Sequence, residues 1–527
     1  TTNSSMFEIN GVGGGGGGES DQKDDATLSE GLHENHTRAS MSEDLKIRAE
    51  RQKMAIARRL EQFGDEKFFA HDKHVFILSW SGRPIYSMYG EETDLAGFTG
   101  VVSAIVATID AQNDTIRCVV AGDHEFVFSI HGPIFLVCVH STSQSQSQII
   151  RELDFIHAQI ISILTSGIHK ILEKTPSFDI RHLLGGTDIL LHSLILDFDQ
   201  NPCFLLDSVP CFRLDPSIRH DIGTVIKRER KSKEPWSKTL LFGLLIAGSQ
   251  LVQLVQPKKQ FLASSDLILI IHFVTNNQSL RESESWTPMC LPDFNSEGFM
   301  YAHICFLVND VCLVLLSSDK DCFPELKQCK DRIEKGLREN GSLQFLEKSM
   351  KNEENVGFSL SSVFGDSSLS DPSRKQNKNP RKNPPKANSA SSPKSSDAVD
   401  AAIRAVASAS LLTHFLYRNI KISQFIAPRY SLPYKTLEQR KEVFRRFQHV
   451  HSRVSERKRV ASGKTDMYFE QSSKETMLVW TKGNDFELYA ALTPFVSKDE
   501  ACQACGTVLK WIKQQEQSLF MMNQRTW

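Results

Sequence analysis

Four short stretches of this 527-residue chain place reactive side chains at spacings that could do chemistry. Ser462-Gly463-Lys464-Thr465 resembles the end of a phosphate-binding loop, in which glycines let backbone N–H groups approach phosphate and a lysine neutralises it. The pattern fails five residues earlier, where Lys458 stands in place of the required glycine and Glu456-Arg457-Lys458-Arg459-Val460 replaces a buried strand. Cys502 and Cys505 form a lone CxxC on a helical pattern, and no second pair lies at finger spacing, so they read as helix cysteines rather than zinc ligands. His71, Asp72 and His74 could imitate a metal or proton-relay cluster, yet they precede a strand without further ligands and read as an exposed strand entry. Glu91 and Glu92 stand just before a helix, where carboxylates complement its positive end without acid–base work. No HExxH, GxSxG or kinase-type set is present, so the sequence points away from covalent catalysis and implies neither a cofactor nor a metal.

Composition narrows the partners. With 62 basic and 63 acidic residues the formal net charge is -1, which gives no global field for nucleic acid or an anionic membrane. The eleven cysteines are scattered, and no N-terminal run joins a basic flank to an apolar stretch, so a reducing cytosolic setting is expected. The most apolar run, TLLFGLLIAGSQLVQLVQ over 239–256, is broken by Gly248-Ser249 and carries three glutamines. It falls short of the roughly 20 apolar residues a membrane helix needs and reads as a hairpin of two buried strands.

The remaining residues build scaffold. HVFILSW and RPIYSMY, joined at Ser81-Gly82, make a hairpin. A helix follows, with Thr93 or Asp94 as N-cap and Leu95, Phe98, Val102, Ile105 and Ile109 on its buried face. Strands TIRCVVAG, HEFVFSI and PIFLVCVH come next, and a helix closes the unit with Ile149, Leu153, Ile156, Ile160 and Ile163 on one face. The same β-β-α-β-β-β-α outline recurs from the 239–256 hairpin, with a helix opened by Ser265 or Asp266, strands WTPMCLP, FMYAHICFLV and VCLVLLSS, and a helix from near Pro324. It recurs again from HFLYRN to the helix DEACQACGTVLKWIKQQEQ. Each outline predicts a five-stranded antiparallel sheet covered by helices, an α/β architecture.

The expected organisation is therefore a disordered acidic, glycine-rich tail over 1–42, which contains the run Gly13 to Gly18, then a helical lead-in over 43–70. The first α/β domain follows over 71–175, and a helical connector over 176–235 breaks at Gly185-Gly186. The second domain spans 236–345, a disordered basic linker 346–405 and the third domain 406–527. The linker's Lys and Arg residues lack neighbouring aromatic residues for base stacking, so nucleic acid is not an expected partner.

Four phrases, HVFILSWSGRPIYSMYGEE, RHLLGGTD, LLIAGSQLVQLVQPKK and ESWTPMCLPDFNSEGFMYAHI, together resemble the SAND or Mon (monensin-sensitivity) family of vacuolar and endosomal fusion proteins. The likeness covers most of residues 70–345 and continues more weakly to the end. It implies three longin domains, in agreement with the three outlines. It further implies an obligate heterodimer with a Ccz-type longin-domain partner, acting as a guanine nucleotide exchange factor on a late-endosomal Rab GTPase. An early-endosomal Rab would recruit the complex from the cytosol to endosome and lysosome or vacuole membranes, which the chain would contact peripherally. The matching W-x-P segment makes Trp286 a GTPase-contacting residue, with Tyr89 and Glu91 assigned to the same surface, and Lys258 and Lys259 become candidate membrane or recruiter contacts. The rival expectation is a longin-domain scaffold or tether without exchange activity.

Overall fold

The computed structural model describes residues 64–141, 144–230, 235–351, 357–364, 411–458, 465–522 and 525–527, together with Lys53, Ala57, Glu61 and Gln62. The tail over 1–42, most of the lead-in, and 365–410 of the linker lie outside the described residues.

Strands β1 (Lys73–Ser79) and β2 (Pro84–Ser87) form the opening hairpin, with Gly82 at φ 78° in its turn. That left-handed geometry suits glycine, the one residue without a Cβ to clash. β1 is buried along its whole length because it lies inside the sheet, between β2 and β5 (Ile134–His140). β4 (His124–His131) and β3 (Cys118–Ala121) complete the order β2-β1-β5-β4-β3, every pair antiparallel. The second sheet contains β7 (Leu240–Ala247), β8 (Gln250–Gln256), β9 (Ser285–Leu291), β10 (Ser296–Val308) and β11 (Val311–Ser317). The third contains β12 (Leu412–Asn419), β13 (Gln424–Ile426), β14 (Thr465–Gln471), β15 (Thr476–Lys482) and β16 (Phe486–Leu492). The 239–256 run is the β7–β8 hairpin, and among the described residues no single helix is long and apolar enough to cross a membrane.

Two-residue strands lock these sheets together. β6 (Val209–Pro210), in the connector, adds in parallel to β13, and β17 (Arg525–Thr526) adds in parallel to β8, which makes both later sheets six-stranded. Buried Arg219 supplies a second tie. Its Nη1 donates to the carbonyl of Val252 at 2.6 Å, and its Nη2 donates to those of Phe212 at 2.7 Å and Ser518 at 3.2 Å. One guanidinium thus satisfies carbonyls from the connector, the second domain and the third. The largest apolar core is shared in the same way. It runs from β1 and the Gln146–Leu164 helix, through the connector, to one face of each later sheet. The opposite faces have their own cores, under the Phe323–Glu339 helix in the second domain and the Lys498–Leu519 helix in the third.

Several boundaries differ from the sequence-based expectation. The first long helix is Ala96–Asp110, with Leu95 at its N-cap and no side-chain cap bond, so neither Thr93 nor Asp94 caps it. It buries Thr99, Val102 and Val106, whereas Ile105 is 42% exposed. The second-domain helix begins at Ser264 with Ala263 at the N-cap, which places Ser265 and Asp266 inside it. The connector does break at Gly186, at φ 83°, between the Arg181–Leu184 and Asp188–Asp197 helices. Ordered structure runs past residue 346: the Ser342–Lys351 helix buries Leu343 and Leu346, and Phe358, Val363 and Phe364 pack on the third domain's core. Apolar residues in a Ser- and Lys-rich stretch gain burial there against neighbouring helices.

Candidate interaction surface

Trp286 lies on β9, the edge strand of the second sheet, opposite His303 of β10. Its indole is half-buried, stacked at 5.8 Å on Tyr301 and tilted at 5.8 Å on Phe323, and its Nε1 donates to the carbonyl of Lys320 at 3.1 Å. The ring is held in one orientation with part of its surface left to solvent. Beneath it runs a charge network. Glu284 lies 2.8 Å from Lys330 Nζ and 3.4 Å from His303, and Lys330 also meets Asp331 at 2.8 Å. Burial on its own lowers the Lys330 ammonium, but its hydrogen bonds to Asp331 and Glu284 reverse that and hold it above the ordinary lysine value.

Tyr89 sits elsewhere. Only 5% exposed, it belongs to the first domain's core and stacks at 3.7 Å on His71, whose Nε2 lies 2.7 Å from Glu61. Its ring is thus a support for the surface rather than a surface itself. Glu91 is exposed in the turn between β2 and the Ala96–Asp110 helix. Neither acid stands in the first turn of that helix, and Glu92 instead accepts from the Ser87 N–H at 3.4 Å, so dipole complementarity does not explain the pair. Tyr89 and Glu91 belong to the first domain and Trp286 to the second. Lys258 and Lys259 are exposed in the turn after β8, next to Phe261 at 60% exposure.

The other reactive-looking residues resolve into structure. His74 is buried rather than exposed, at the start of β1, because Phe68, Phe76 and Tyr89 pack around its ring. Cys505 is buried on the Lys498–Leu519 helix, where burial pushes its thiol far up, and Cys502 lies near Met467. Ser462, Gly463 and Lys464 lie outside the described residues, but Lys458 ends the Leu437–Lys458 helix, where a phosphate loop would need a strand. Among the described residues no group of three or more His, Cys, Asp and Glu side chains is placed to hold a metal ion.

The residues that sequence reasoning missed lie on the outer face of the Ala96–Asp110 helix. Gly97, Gly100, Val101, Ala104, Ile105 and Thr108 are exposed, Val101 at 62% and Ile105 at 42%. Trp80, at the end of β1, is 37% exposed, and its carbonyl accepts from Ser103 Oγ of the same helix at 3.3 Å. This face carries no charge until Asp110. An amphipathic surface helix normally turns charged residues outward, so an uncharged outer face was the available signal. At Gly97, Gly100 and Ala104 a partner backbone could approach closely. The arrangement fits an apolar docking surface and offers no group for bond-making chemistry.

Comparison with known proteins agrees with these three sheets. The family models described as the first, second and third longin domains of FUZ, MON1 and HPS1 match residues 73–194, 238–335 and 411–516. The first match extends past residue 175 into the connector. The chain is 31% identical to Protein SAND of Takifugu rubripes over 474 residues, covering 89% of this chain and 79% of that protein. It is 32% identical over 449 residues to a vacuolar fusion protein MON1 homolog of Arabidopsis thaliana, covering 85% of this chain and 69% of the relative. Against vacuolar fusion protein MON1 homolog A of Gallus gallus the identity is 31% over 460 residues, 87% of this chain and 73% of that one. Three longin domains in order, together with identity sustained over most of both chains, establish that the chain belongs to the SAND/Mon1 family.

Proposed function

We propose that the chain is one subunit of a heterodimeric guanine nucleotide exchange factor, completed by a Ccz-type longin partner, that activates a late-endosomal Rab GTPase and so drives endosome maturation and vacuole or lysosome fusion. The observation that carries this proposal is the uncharged outer face of the Ala96–Asp110 helix, on and beside which Val101, Ile105 and Trp80 are exposed together. Large apolar side chains left in water on one face of a folded domain favour a protein partner over solvent.

An exchange factor needs no nucleophile. It must bind the nucleotide-free GTPase more tightly than the nucleotide-bound form, and a difference of about 4 kcal/mol corresponds to roughly a thousandfold effect. The half-exposed Trp286 and the turn carrying Glu91 are candidate contacts with the GTPase, Tyr89 supports that turn from within, and an early-endosomal Rab is the proposed recruiter. Lys258, Lys259 and Phe261 form a candidate peripheral membrane contact, a basic loop beside one apolar ring.

The test is release of a fluorescent guanine nucleotide from purified Rab proteins, with the chain alone and with its Ccz-type partner. The expected result is slow release with the chain alone and fast release with the pair. Equal rates would overturn a shared site, and no acceleration in either case would leave a scaffold or tether.

A further inference from the structure

A second surface lies at one end of the third sheet, where Leu412 pairs with Leu492, Leu492 with Thr476 and Thr476 with Gln471. Three loops leave the fold beside this row, over 428–436, 472–475 and 493–497. Hydrogen bonds fasten them together. Gln471 Nε2 donates to the carbonyl of Val496 at 2.7 Å, and Tyr434 Oη donates to Glu475 at 2.9 Å. The Tyr434 hydroxyl also lies 2.9 Å from Thr413 Oγ1, which donates to the carbonyl of Ala491 at 2.9 Å.

From this rigid base large apolar side chains point outward. Phe495 is 78% exposed and Leu432 is 68% exposed, and Leu437, at the start of the Leu437–Lys458 helix, is 45% exposed. Phe495 also has φ 63°, a left-handed conformation. The other described non-glycine residues with positive φ are Asn, Asp, Thr and Ser, so Phe495 is the bulky exception. Its neighbours hold it there, since Val496 is buried and Ser497 forms a capping box with Glu500. The fold thus accepts backbone strain at a position where an aromatic ring projects into solvent, a combination associated with function. Lys435, Lys474 and Lys498 are exposed around these tips. Of the nearby carboxylates, Glu442 meets Lys474 at 2.5 Å, Glu438 meets Lys441 at 3.3 Å and Glu500 is held by Ser497, while Asp499 is exposed beside Lys498.

We propose that this end of the third domain is a lipid-contacting surface, in which Phe495 and Leu432 enter the boundary between headgroups and acyl chains while the lysines stay among the headgroups. The tips stand on separate loops with polar residues between them. Such an arrangement suits insertion into a fluid interface, whereas a protein partner calls for a contiguous apolar patch. With the local charges largely balanced, attachment here depends mainly on apolar insertion. The proposal does not rest on exchange activity, because a chain without it would bind lipid equally well.

The test is co-sedimentation of the full chain with phosphatidylcholine vesicles, and with vesicles that also contain phosphatidylserine, at low and high salt. Phe495→Ser combined with Leu432→Ser is expected to lower the bound fraction about tenfold on both vesicle types with an unchanged melting temperature. Phe495→Trp is expected to bind and to shift its emission to the blue on vesicle addition. Unchanged binding by the double variant, no emission shift in Phe495→Trp, or binding that needs phosphatidylserine and vanishes in salt would overturn the proposal. A melting temperature several degrees lower in the double variant would also overturn it, because these side chains would then be packed within the protein.

Discussion

Trp286 has both a structural and an exposed side, and its substitution separates the two. The indole loses two aromatic contacts and one hydrogen bond in Trp286→Ala, but it is only half-buried. The expected stability loss is therefore about 1–2 kcal/mol, below the roughly 3–5 kcal/mol of a fully buried aromatic ring. Exchange should fall about tenfold, near 1.4 kcal/mol in the barrier, with pairing to the Ccz-type partner retained. Melting temperature, co-purification and exchange rate on one sample decide it, and full activity would remove Trp286 from the contact surface. Three histidines, His74 and His414 buried and His157 half-buried, make a second prediction at this scale. Burial pushes the His414 imidazole down to about 3, burial and the charge of His71 take His74 to about 4, and burial with His131 and His169 takes His157 to about 3. Below the ordinary histidine value near 6.5 the unfolded chain takes up protons that the folded chain refuses, so stability falls with pH. At pH 5.5 each of the three costs about 1.4 kcal/mol, and Asp266, raised by burial to about 6, returns about 1 kcal/mol in total. Urea midpoints should therefore drop between pH 7.5 and pH 5.5, and less in His414→Phe. A flat profile would contradict the neutral state of these rings.

At the scale of single elements, the Ala96–Asp110 helix carries the clearest prediction. Val101→Glu with Ile105→Glu should abolish co-purification with the Ccz-type partner and leave the melting temperature within a degree or two, because both side chains already face water. A large loss of stability would show that this face packs within the chain. The same helix shows where sequence reasoning stops. Its apolar residues occupy both faces, so a period of 3.6 could place a helix over this stretch but not decide which stripe meets the sheet, and Ile105 was assigned inward. In the Gln146–Leu164 helix polar residues alternate with the apolar stripe, and Ile149, Leu153, Ile156 and Ile160 are buried as the spacing predicts. The strands of all three outlines were legible because three or more consecutive residues carry the pattern. β6 and β17 were not, since two residues hold no period and their pairing is decided by distant parts of the chain. The burial of Tyr89 is not legible in the sequence for a related reason. Its neighbour in space is His71, eighteen residues back, and nothing local reports that stack.

The three longin domains are not independent units strung on linkers. β6 carries connector chain into the third sheet, β17 carries the last described residues into the second, Arg219 ties both to the connector, and the largest core crosses all three. The tie at β17 is tightly fitted. Trp527 Nε1 donates to the carbonyl of Leu241 at 2.6 Å, and its ring lies 3.5 Å from the place a Cβ on Gly243 would occupy. Shared cores couple unfolding free energies, so one cooperative transition is expected for the folded body rather than three. Against that body, residues 366–398 have no apolar period with which to build a core, and they lie outside the described residues. Deleting them leaves roughly 13 residues between Phe364 and Leu411, able to span about 40 Å. The shorter loop should cost less closure entropy, a gain of about 1 kcal/mol at most. The deletion variant should therefore melt in a single calorimetric transition, at or slightly above the temperature of the full chain. A second transition, or a melting temperature lowered by several degrees, would show that this segment packs against the longin domains and helps hold them together.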